Sequence, residues 1–479
     1  MKTSTGVQVL KTMIGNPITR KILAGMSKYC ETDQKNRLEV ALELYVGVRD
    51  DACAFCKAAE KPLASVLRRG AKSFGVTEEE MKTRFRDPYW RKGLSCVVRG
   101  IADFGVRKPF VPGAPFQVVW DVTYACNLRC QHCYATAGKA QEDELSHDEA
   151  IAVVDKLARM GIPILAFSGG EPLVRKDIFD LTRRAADHGM YVSIATNGTL
   201  ITPEKAKEMK EAGVRYLQIS IDGANAATHD GFRGISGAFD RTIEGVKNAV
   251  AEGFFVNIAT TATKRNLHQI PAIIDLCEKL GVNWFMAYNF VPTGRGRMIV
   301  ENDLSPEERE NLLKMLYSKL NDVDCELLTT APQYARIALQ NCGQDGSIVV
   351  PTHFYNTEVQ GNLFNLTEFI GGCGAGRFYM AIRANGDIEP CVFFPLKVGN
   401  VRTDDLEEIW LHNNVFEELR NKDILKGNCG TCDYRYHCGG CRARAYGYFD
   451  DYLAPDPGCI NNVDKYREIL ASVPIASAK

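Results

Sequence analysis

Between residues 117 and 288 short apolar runs alternate with amphipathic helical segments, and polar residues gather where each apolar run ends. Residues 118–120, 164–167, 191–195, 216–221, 254–259 and 284–288 read as strands. Helical spacing fills the intervals at 146–160, 177–188, 202–212, 237–252 and 267–280. Strands separated by helices must return by right-handed crossovers, and that forces a parallel sheet. The expected fold class is therefore α/β, a partial (β/α)6 parallel barrel. Such sheets carry their sites at the C-terminal strand ends. The turns Ser168-Gly169-Gly170-Glu171-Pro172, Thr196-Asn197-Gly198 and Asp222-Gly223 sit at those ends.

The flanks differ from this core. Residues 1–112 hold 21 Lys and Arg against 12 Asp and Glu, whereas the remainder holds 37 against 47. This basic N-terminal domain reads as helical, with apolar spacing at 37–45 and a capping box at Thr77–Glu80. A basic module can meet an anionic substrate, a membrane, nucleic acid or its own acidic body, and the last is the expectation. The Pro- and Gly-rich stretch 108–116 marks the boundary. The core barrel is expected over 113–324, closed by a helix at 305–320. A linker with short elements follows over 325–372, and a small cysteine-rich domain occupies 373–479.

Seventeen cysteines follow no apolar leader after Met1-Lys2-Thr3-Ser4. A reducing, cytoplasmic setting is expected, in which spaced cysteines hold metals rather than disulfides. Cys126, Cys130 and Cys133 follow the first strand with the spacing C-x3-C-x2-C. Three thiolates on one loop can hold three irons of a cubane and leave the fourth open. A structural zinc site would need a fourth ligand, and none follows at suitable spacing. His132, between two of these cysteines, reads as a packing residue. The C-terminal set is Cys373, Cys391, Cys429, Cys432, Cys438, Cys441 and Cys459. Taken alone, it reads as a pair of zinc ribbons or as iron–sulfur ligands.

The run CNLRCQHCY, followed by SGGEP, TNG and SIDG on successive strand ends, resembles the radical S-adenosylmethionine family over about residues 117–297. The C-terminal cysteines resemble its SPASM extension, which holds auxiliary [4Fe-4S] clusters. The resemblance implies an enzyme in which S-adenosyl-L-methionine binds the open iron of a [4Fe-4S] cluster. An electron then releases a 5′-deoxyadenosyl radical, which takes hydrogen from a substrate. It implies that Gly169 and Gly170 let the backbone approach the cofactor and that Glu171 accepts from the methionine ammonium. Ser193, Asn197, Ser220 and Asp222 would lie near the ribose, and Arg233 near the methionine carboxylate. One or two auxiliary clusters are expected. Cys429, Cys432, Cys438 and Cys459 would hold the distal one, and Cys373, Cys391 and Cys441 the proximal one. The family usually has three residues before the last cysteine of the run, where this chain has Gly439-Gly440. The family often has one more cysteine just upstream of Cys373, which this chain lacks over 343–372. Cys342 is a candidate for that missing ligand.

Arg295 and Arg297, in VPTGRGR after the sixth strand, read equally as clamps for an anionic substrate or as a basic loop pairing with the chain's own acidic body. That loop and GGCRARAYGYFDDYLAPDPGC resemble SPASM enzymes of haem and haem d1 synthesis, which remove or oxidise propionates. The expected substrates are a tetrapyrrole propionate or a peptide or protein side chain. A lipid is a third possibility, because residues 90–104 are basic and amphipathic, which suits peripheral membrane contact. A reducing partner such as ferredoxin or flavodoxin is expected, and no nucleic-acid partner. The rival reading is a non-enzymatic iron–sulfur carrier or scaffold, which would need no S-adenosylmethionine site. Cys53-Ala54-Phe55-Cys56, with Cys30 and Cys96 near in sequence, reads first as small buried apolar residues on a helix, with a further metal site as the alternative. Cys277 reads as core, and Cys325 has no assignment.

Overall fold

A computed structural model describes residues 16–73, 76–341 and 370–472, so Cys342 lies outside the described residues. The N-terminal segment is helical: α1 (Pro17–Met26), α2 (Arg37–Tyr45), α3 (Ala54–Ser73), α4 (Glu78–Phe85) and α5 (Pro88–Phe104). A short hairpin of β1 (Tyr29–Cys30) and β2 (Lys35–Asn36) joins α1 to α2. The Thr77–Glu80 capping box opens α4, each side chain satisfying the other residue's backbone N–H.

The core elements follow in chain order. They are β3 (Gln117–Asp121), α6 (His147–Met160), β4 (Ile164–Ser168), α7 (Ile178–Asp187), β5 (Tyr191–Thr196), α8 (Pro203–Glu211) and β6 (Val214–Ser220). Next come α9 (Ala226–Arg233), α10 (Ala238–Ala251), β7 (Phe255–Ala262), α11 (Ile270–Leu280), β8 (Trp284–Asn289), α12 (Pro306–Ser318), β9 (Glu326–Thr329) and α13 (Tyr334–Asn341). The C-terminal region holds β10 (Tyr379–Ile382), β11 (Asp387–Glu389), β12 (Gly399–Asn400), α14 (Leu406–His412), α15 (Asn414–Arg420), α16 (Gly427–Thr431), α17 (Arg442–Phe449) and α18 (Val463–Ser472).

Among the described residues the main sheet has ten strands in the order β12-β11-β10-β3-β4-β5-β6-β7-β8-β9. Pairing is parallel from β10 through β9, and antiparallel only at β10–β11 and β11–β12. The α/β class expected from the strand–helix repeat is thus present. Two parallel strands extend the sheet beyond the six that the periodicity marks. β9 and α13 lie in the stretch read as a linker, and β10 comes from the cysteine-rich region. β9 is too short, and β10 too far away in sequence, for either to register as a further strand–helix unit.

The two-residue pleat divides each strand between two environments. Val118, Trp120, Leu165, Phe167, Val192, Ile194, Leu217, Ile219, Val256, Ile258 and Phe285 pack into the core under the helices. The alternate residues line one interior cavity of about 1090 Å³. At the N-terminal end of the strands its lining includes Phe116, Tyr191, Tyr216, Phe255 and Trp284, together with Tyr89, Trp90, Val97 and Ile101 of α5. α5 thus closes the floor of the curved sheet.

This placement gives residues 90–104 partners within the protein. The apolar side of α5 is spent on the cavity. Among its basic residues, Lys92 is buried against Glu39 at 3.3 Å and Arg91 against Glu43 at 3.6 Å. Arg99 reaches Glu407 at 2.7 Å and the Met160 carbonyl at 2.9 Å. Further pairs tie the N-terminal helices to the body, Arg215 with Asp87 at 2.7 Å and Arg159 with Glu31. No helix among the described residues is long and apolar enough to cross a membrane.

Candidate active site

The loop after β3 carries Cys126, Cys130 and Cys133 to the cavity rim. Each sulfur accepts from one donor: Cys126 Sγ from the Leu128 N–H at 3.4 Å, Cys133 Sγ from the Ala137 N–H at 3.4 Å, and Cys130 Sγ from Arg233 Nη1 at 3.6 Å. Donors aimed at sulfur favour thiolates and are one lever on cluster potential. Burial pushes the Cys126 thiol up to about 12. Proton release must therefore accompany any metal that binds there.

Neighbouring segments hold the loop in place. Glu144 accepts from the Tyr124 N–H at 2.7 Å and the Thr123 hydroxyl at 2.8 Å. The turn after β4 presses on the loop from below. A Cβ on Gly170 would stand 2.1 Å from the Ala125 carbonyl oxygen, and one on Gly169, whose φ is +131°, 2.5 Å from that of Thr123. Only glycine permits that approach. The two glycines line the cavity and also seat the cysteine loop, a packing role that spacing alone does not reveal.

Ser193, Asn197, Ser220 and Arg233 line the same end of the cavity. The Ser193 and Ser220 side chains face inward by the pleat and make no hydrogen bond among the described residues. Asn197 donates to Asn127 Oδ1 at 2.8 Å. Two residues lie elsewhere than expected. Glu171 is fully buried, and its carboxylate already accepts from the Asn197 N–H and the Thr196 hydroxyl at 2.8 Å each and from the Leu173 N–H at 3.1 Å. It joins the β4 and β5 strand ends behind the cavity wall. Asp222 is also fully buried and off the wall; it pairs with Arg233 at 2.6 Å and accepts from the Thr261 N–H at 2.8 Å. Burial would raise its carboxyl, but the Arg233 guanidinium wins and holds it below the usual range. Asp222 thus orients Arg233 against the Cys130 sulfur.

Neither arginine of the VPTGRGR loop is free in the cavity. Arg295 spends its guanidinium on backbone carbonyls of the cysteine loop, those of Cys130 at 2.9 Å and Ala137 at 2.6 Å. Arg297 is exposed and does not line the cavity. A basic loop one turn from a cysteine loop finds carbonyls closer than any ligand.

The C-terminal cysteines divide into two groups. Cys373, Cys391 and Cys441 pack around Phe394 and Ala443 and line the cavity opposite the first loop. Cys429, Cys438 and Cys459 lie within electrostatic reach of one another, and Cys432 caps the end of α16. Asp456 joins the groups: it accepts from the Cys441 N–H at 2.7 Å, and its own N–H points at Cys429 Sγ at 3.4 Å. Arg444, fully buried, bridges Asp456 and Asp303.

Sequence reasoning missed a polar cluster between the two sides. The Tyr134 hydroxyl donates to Asp121 at 2.9 Å and lies 3.0 Å from the Ser168 hydroxyl. Arg383 pairs with Asp121 at 2.7 Å and Glu389 at 2.6 Å. Tyr134 adjoins Cys133 in sequence and Ser168 opens the glycine turn, so both stood beside recognised motifs. His132, read as packing, lines the cavity with its ring 4.5 Å from that of Phe232. Burial lowers it to about 4, so it is neutral at pH 7.

This donor set fits the expected cofactors. The three cysteines of the loop share the cavity with the Ser193 and Ser220 side chains and with Arg233, whose buried Nε has no acceptor among the described residues. A scan against family descriptions matches residues 120–277 to the radical SAM superfamily and 373–433 to an iron–sulfur cluster-binding domain. The chain is 41% identical to the AdoMet-dependent heme synthase of Methanosarcina barkeri, across 72% of this chain and 97% of that protein. It is 32% identical to the mycofactocin maturase of Mycobacterium tuberculosis, across 72% and 83%. The fold is similar to that of Streptococcus suis SuiB, with TM-score 0.62 and 17% identity over 89% of this chain and 96% of that one. The chain belongs to the radical SAM superfamily, as an enzyme that uses S-adenosylmethionine with a [4Fe-4S] cluster and carries a C-terminal domain for auxiliary iron–sulfur clusters.

Proposed function

We propose that the enzyme oxidises a propionate side chain of a carboxylated tetrapyrrole. One observation carries this reading: Cys126, Cys130 and Cys133 on one side and Cys373, Cys391 and Cys441 on the other open onto a single cavity of about 1090 Å³ walled mainly by aromatic and apolar side chains. A flat macrocycle needs that width and those ring faces. The similarity to heme synthases over almost their whole length supports it. When bound, the cluster and S-adenosylmethionine supply a 5′-deoxyadenosyl radical that takes a hydrogen atom from the substrate.

The chain's own residues have distinct tasks. Cys126, Cys130 and Cys133 ligate the radical cluster. Arg233, steadied by Asp222, supplies positive charge beside it, and Ser193, Ser220 and Asn197 face the nucleoside. Gly169 and Gly170 expose backbone to the cofactor. Cys373, Cys391 and Cys441 would hold one auxiliary cluster, which would supply an acceptor for the electron the substrate gives up. Cys429, Cys432, Cys438 and Cys459 would hold the other, with ferredoxin or flavodoxin as the external redox partner. Tyr134, Tyr288, Tyr379 and Phe393 form the aromatic wall between the two sides.

Loss of a propionate as CO2 leaves a vinyl group. It removes one hydrogen atom, taken by deoxyadenosyl, and one electron. The test is anaerobic incubation with S-adenosylmethionine, reductant and iron coproporphyrin III. Formation of 5′-deoxyadenosine together with a product lighter by the elements of formic acid is expected. Cofactor cleavage that the porphyrin neither accelerates nor consumes would overturn the reading. A peptide side chain is the second reading, favoured by the likeness to the mycofactocin maturases. It predicts that a peptide, and not the porphyrin, stimulates cleavage.

A further inference from the structure

Far along the chain from these cysteines, the N-terminal helices bring together four side chains that the reaction does not use. Cys30 ends β1, and Asp33 lies in the turn of the β1–β2 hairpin. Cys53 immediately precedes α3, and Cys56 lies in its first turn. One ligand atom from each of the four lies within 4.8 Å of all the others. The Cys30 and Cys53 sulfurs are 3.6 Å apart, and Cys30 Sγ is 3.4 Å from Asp33 Oδ2. Cys30 and Cys56 are buried, and the Asp33 side chain is 4% exposed. Cys96, which sequence proximity had grouped with them, lies apart and points at the Ala114 carbonyl at 3.2 Å.

We propose that Cys30, Asp33, Cys53 and Cys56 form a mononuclear zinc site. Bond lengths of about 2.3 Å to sulfur and 2.0–2.2 Å to oxygen give tetrahedral edges of about 3.8 Å between sulfurs and about 3.5 Å from sulfur to oxygen. The 3.6 Å sulfur–sulfur and 3.4 Å sulfur–oxygen separations sit close to those edges before any metal draws the ligands in. A cubane carries its four ligands on four separate irons, so it would hold them further apart than this set stands. Three thiolates with one carboxylate select a soft, tetrahedral divalent ion over magnesium or calcium.

The surroundings fit a bound ion. Asp33 Oδ1 is held by Arg49 at 3.0 Å, and the Cys53 N–H donates to the same carboxylate at 3.2 Å from Oδ2, which fixes the carboxylate that Oδ2 would offer. Such outer partners orient a metal ligand. Arg49 and the positive end of α3 offset the two negative charges that zinc would leave uncompensated. Ordinary buried apolar cysteines need neither a shared carboxylate nor a guanidinium behind it. The site would clasp the hairpin to α3, 17 residues further along the chain, beside a small apolar cluster of Cys30, Val40 and Cys56. Beyond it, Arg49 also holds Glu43, which contacts Arg91 of α5. The clasp therefore braces the scaffold behind the helix that floors the substrate cavity.

The test is zinc and iron analysis of full-length protein purified anaerobically from zinc-supplemented cells, beside Cys53→Ser/Cys56→Ser and Cys126→Ala/Cys130→Ala/Cys133→Ala. About one zinc per chain is expected in wild type and in the radical-cluster variant, falling at least tenfold in the Cys53/Cys56 variant with iron unchanged. Zinc-edge X-ray absorption of wild-type protein gives a readout that needs no variant, with three sulfurs and one oxygen expected in the first shell. Absence of zinc from wild type, zinc that survives the double substitution, a sulfur count other than three, or a Cys30–Cys53 disulfide found by mass spectrometry of the anaerobic protein would each overturn the proposal. None of these results bears on tetrapyrrole oxidation, so the two readings fail separately.

Discussion

Arg233 shows how one residue's role depends on its neighbour. Its guanidinium sits between the fully buried Asp222 and the Cys130 sulfur. Arg233→Met leaves an unpaired carboxylate in the interior, a loss of about 3–5 kcal/mol by the usual cost of breaking a buried pair. Denaturant titration should show it. The pH profile carries a sign. Asp222 is held below its ordinary value in the folded state, so its contribution is complete above about pH 4, the unfolded value, and is lost as pH falls through the folded one. That acid-side loss should vanish in the variant, because the depressed value depends on the arginine. Arg295 rests against the chain itself, as one of its two sequence readings has it, although on carbonyls rather than carboxylates. With its donors on the Cys130 and Ala137 carbonyls, Arg295→Ala should release cluster iron and lower the rate of cofactor cleavage. A substrate clamp would instead raise KM with cleavage intact, and steady-state kinetics separates the two outcomes.

At the scale of elements, the turn after β4 and the loop after β3 act as one unit. Gly170→Ala sets a Cβ 2.1 Å from a backbone oxygen of the cysteine loop. The loop must move, since neither partner is a flexible side-chain end. Iron should fall from about twelve to about eight atoms per chain, at four per cubane, with the auxiliary clusters retained; iron analysis and electron paramagnetic resonance would check this. The strand–helix alternation of residues 117–288 was legible because burial on both faces leaves continuous apolar runs. The edge strands were not. β9 is four residues long, and β10 joins β3 from more than 250 residues away. No local periodicity encodes such a pairing. The β1–β2 hairpin, two residues on each side, escaped for the same reason.

At the scale of the molecule, one N-terminal helix, α5, is part of the cavity. α5 closes the floor that the strand starts leave open, and Val97 lines it. Val97→Trp should fill that floor. Substrate KM should rise about tenfold, or about 1.4 kcal/mol, while cleavage of S-adenosylmethionine without substrate stays within about twofold of wild type. Equal loss of both activities would mean that the floor supports the cofactor end as well. Of the basic charge of residues 1–112, Arg91 and Lys92 pair with Glu43 and Glu39 of the same segment, and Arg99 reaches Glu407 of the body.

By itself the sequence determined the three-cysteine motif, the family it resembles and six central strands of the sheet, because ligand spacing within a loop and apolar periodicity within a strand are local properties. Cys126, Cys130 and Cys133 and the strand-end turns could be read before any fold was known. Only the tertiary structure decided which groups meet across distance. It placed Cys373, Cys391 and Cys441 on the same cavity as the first loop, put Glu171 and Asp222 behind the wall, and turned Arg295 inward onto carbonyls. It also joined Asp33 to three cysteines and left Cys96 apart. Those outcomes depend on burial and on the crossing of segments remote in sequence, and no spacing within one segment specifies them.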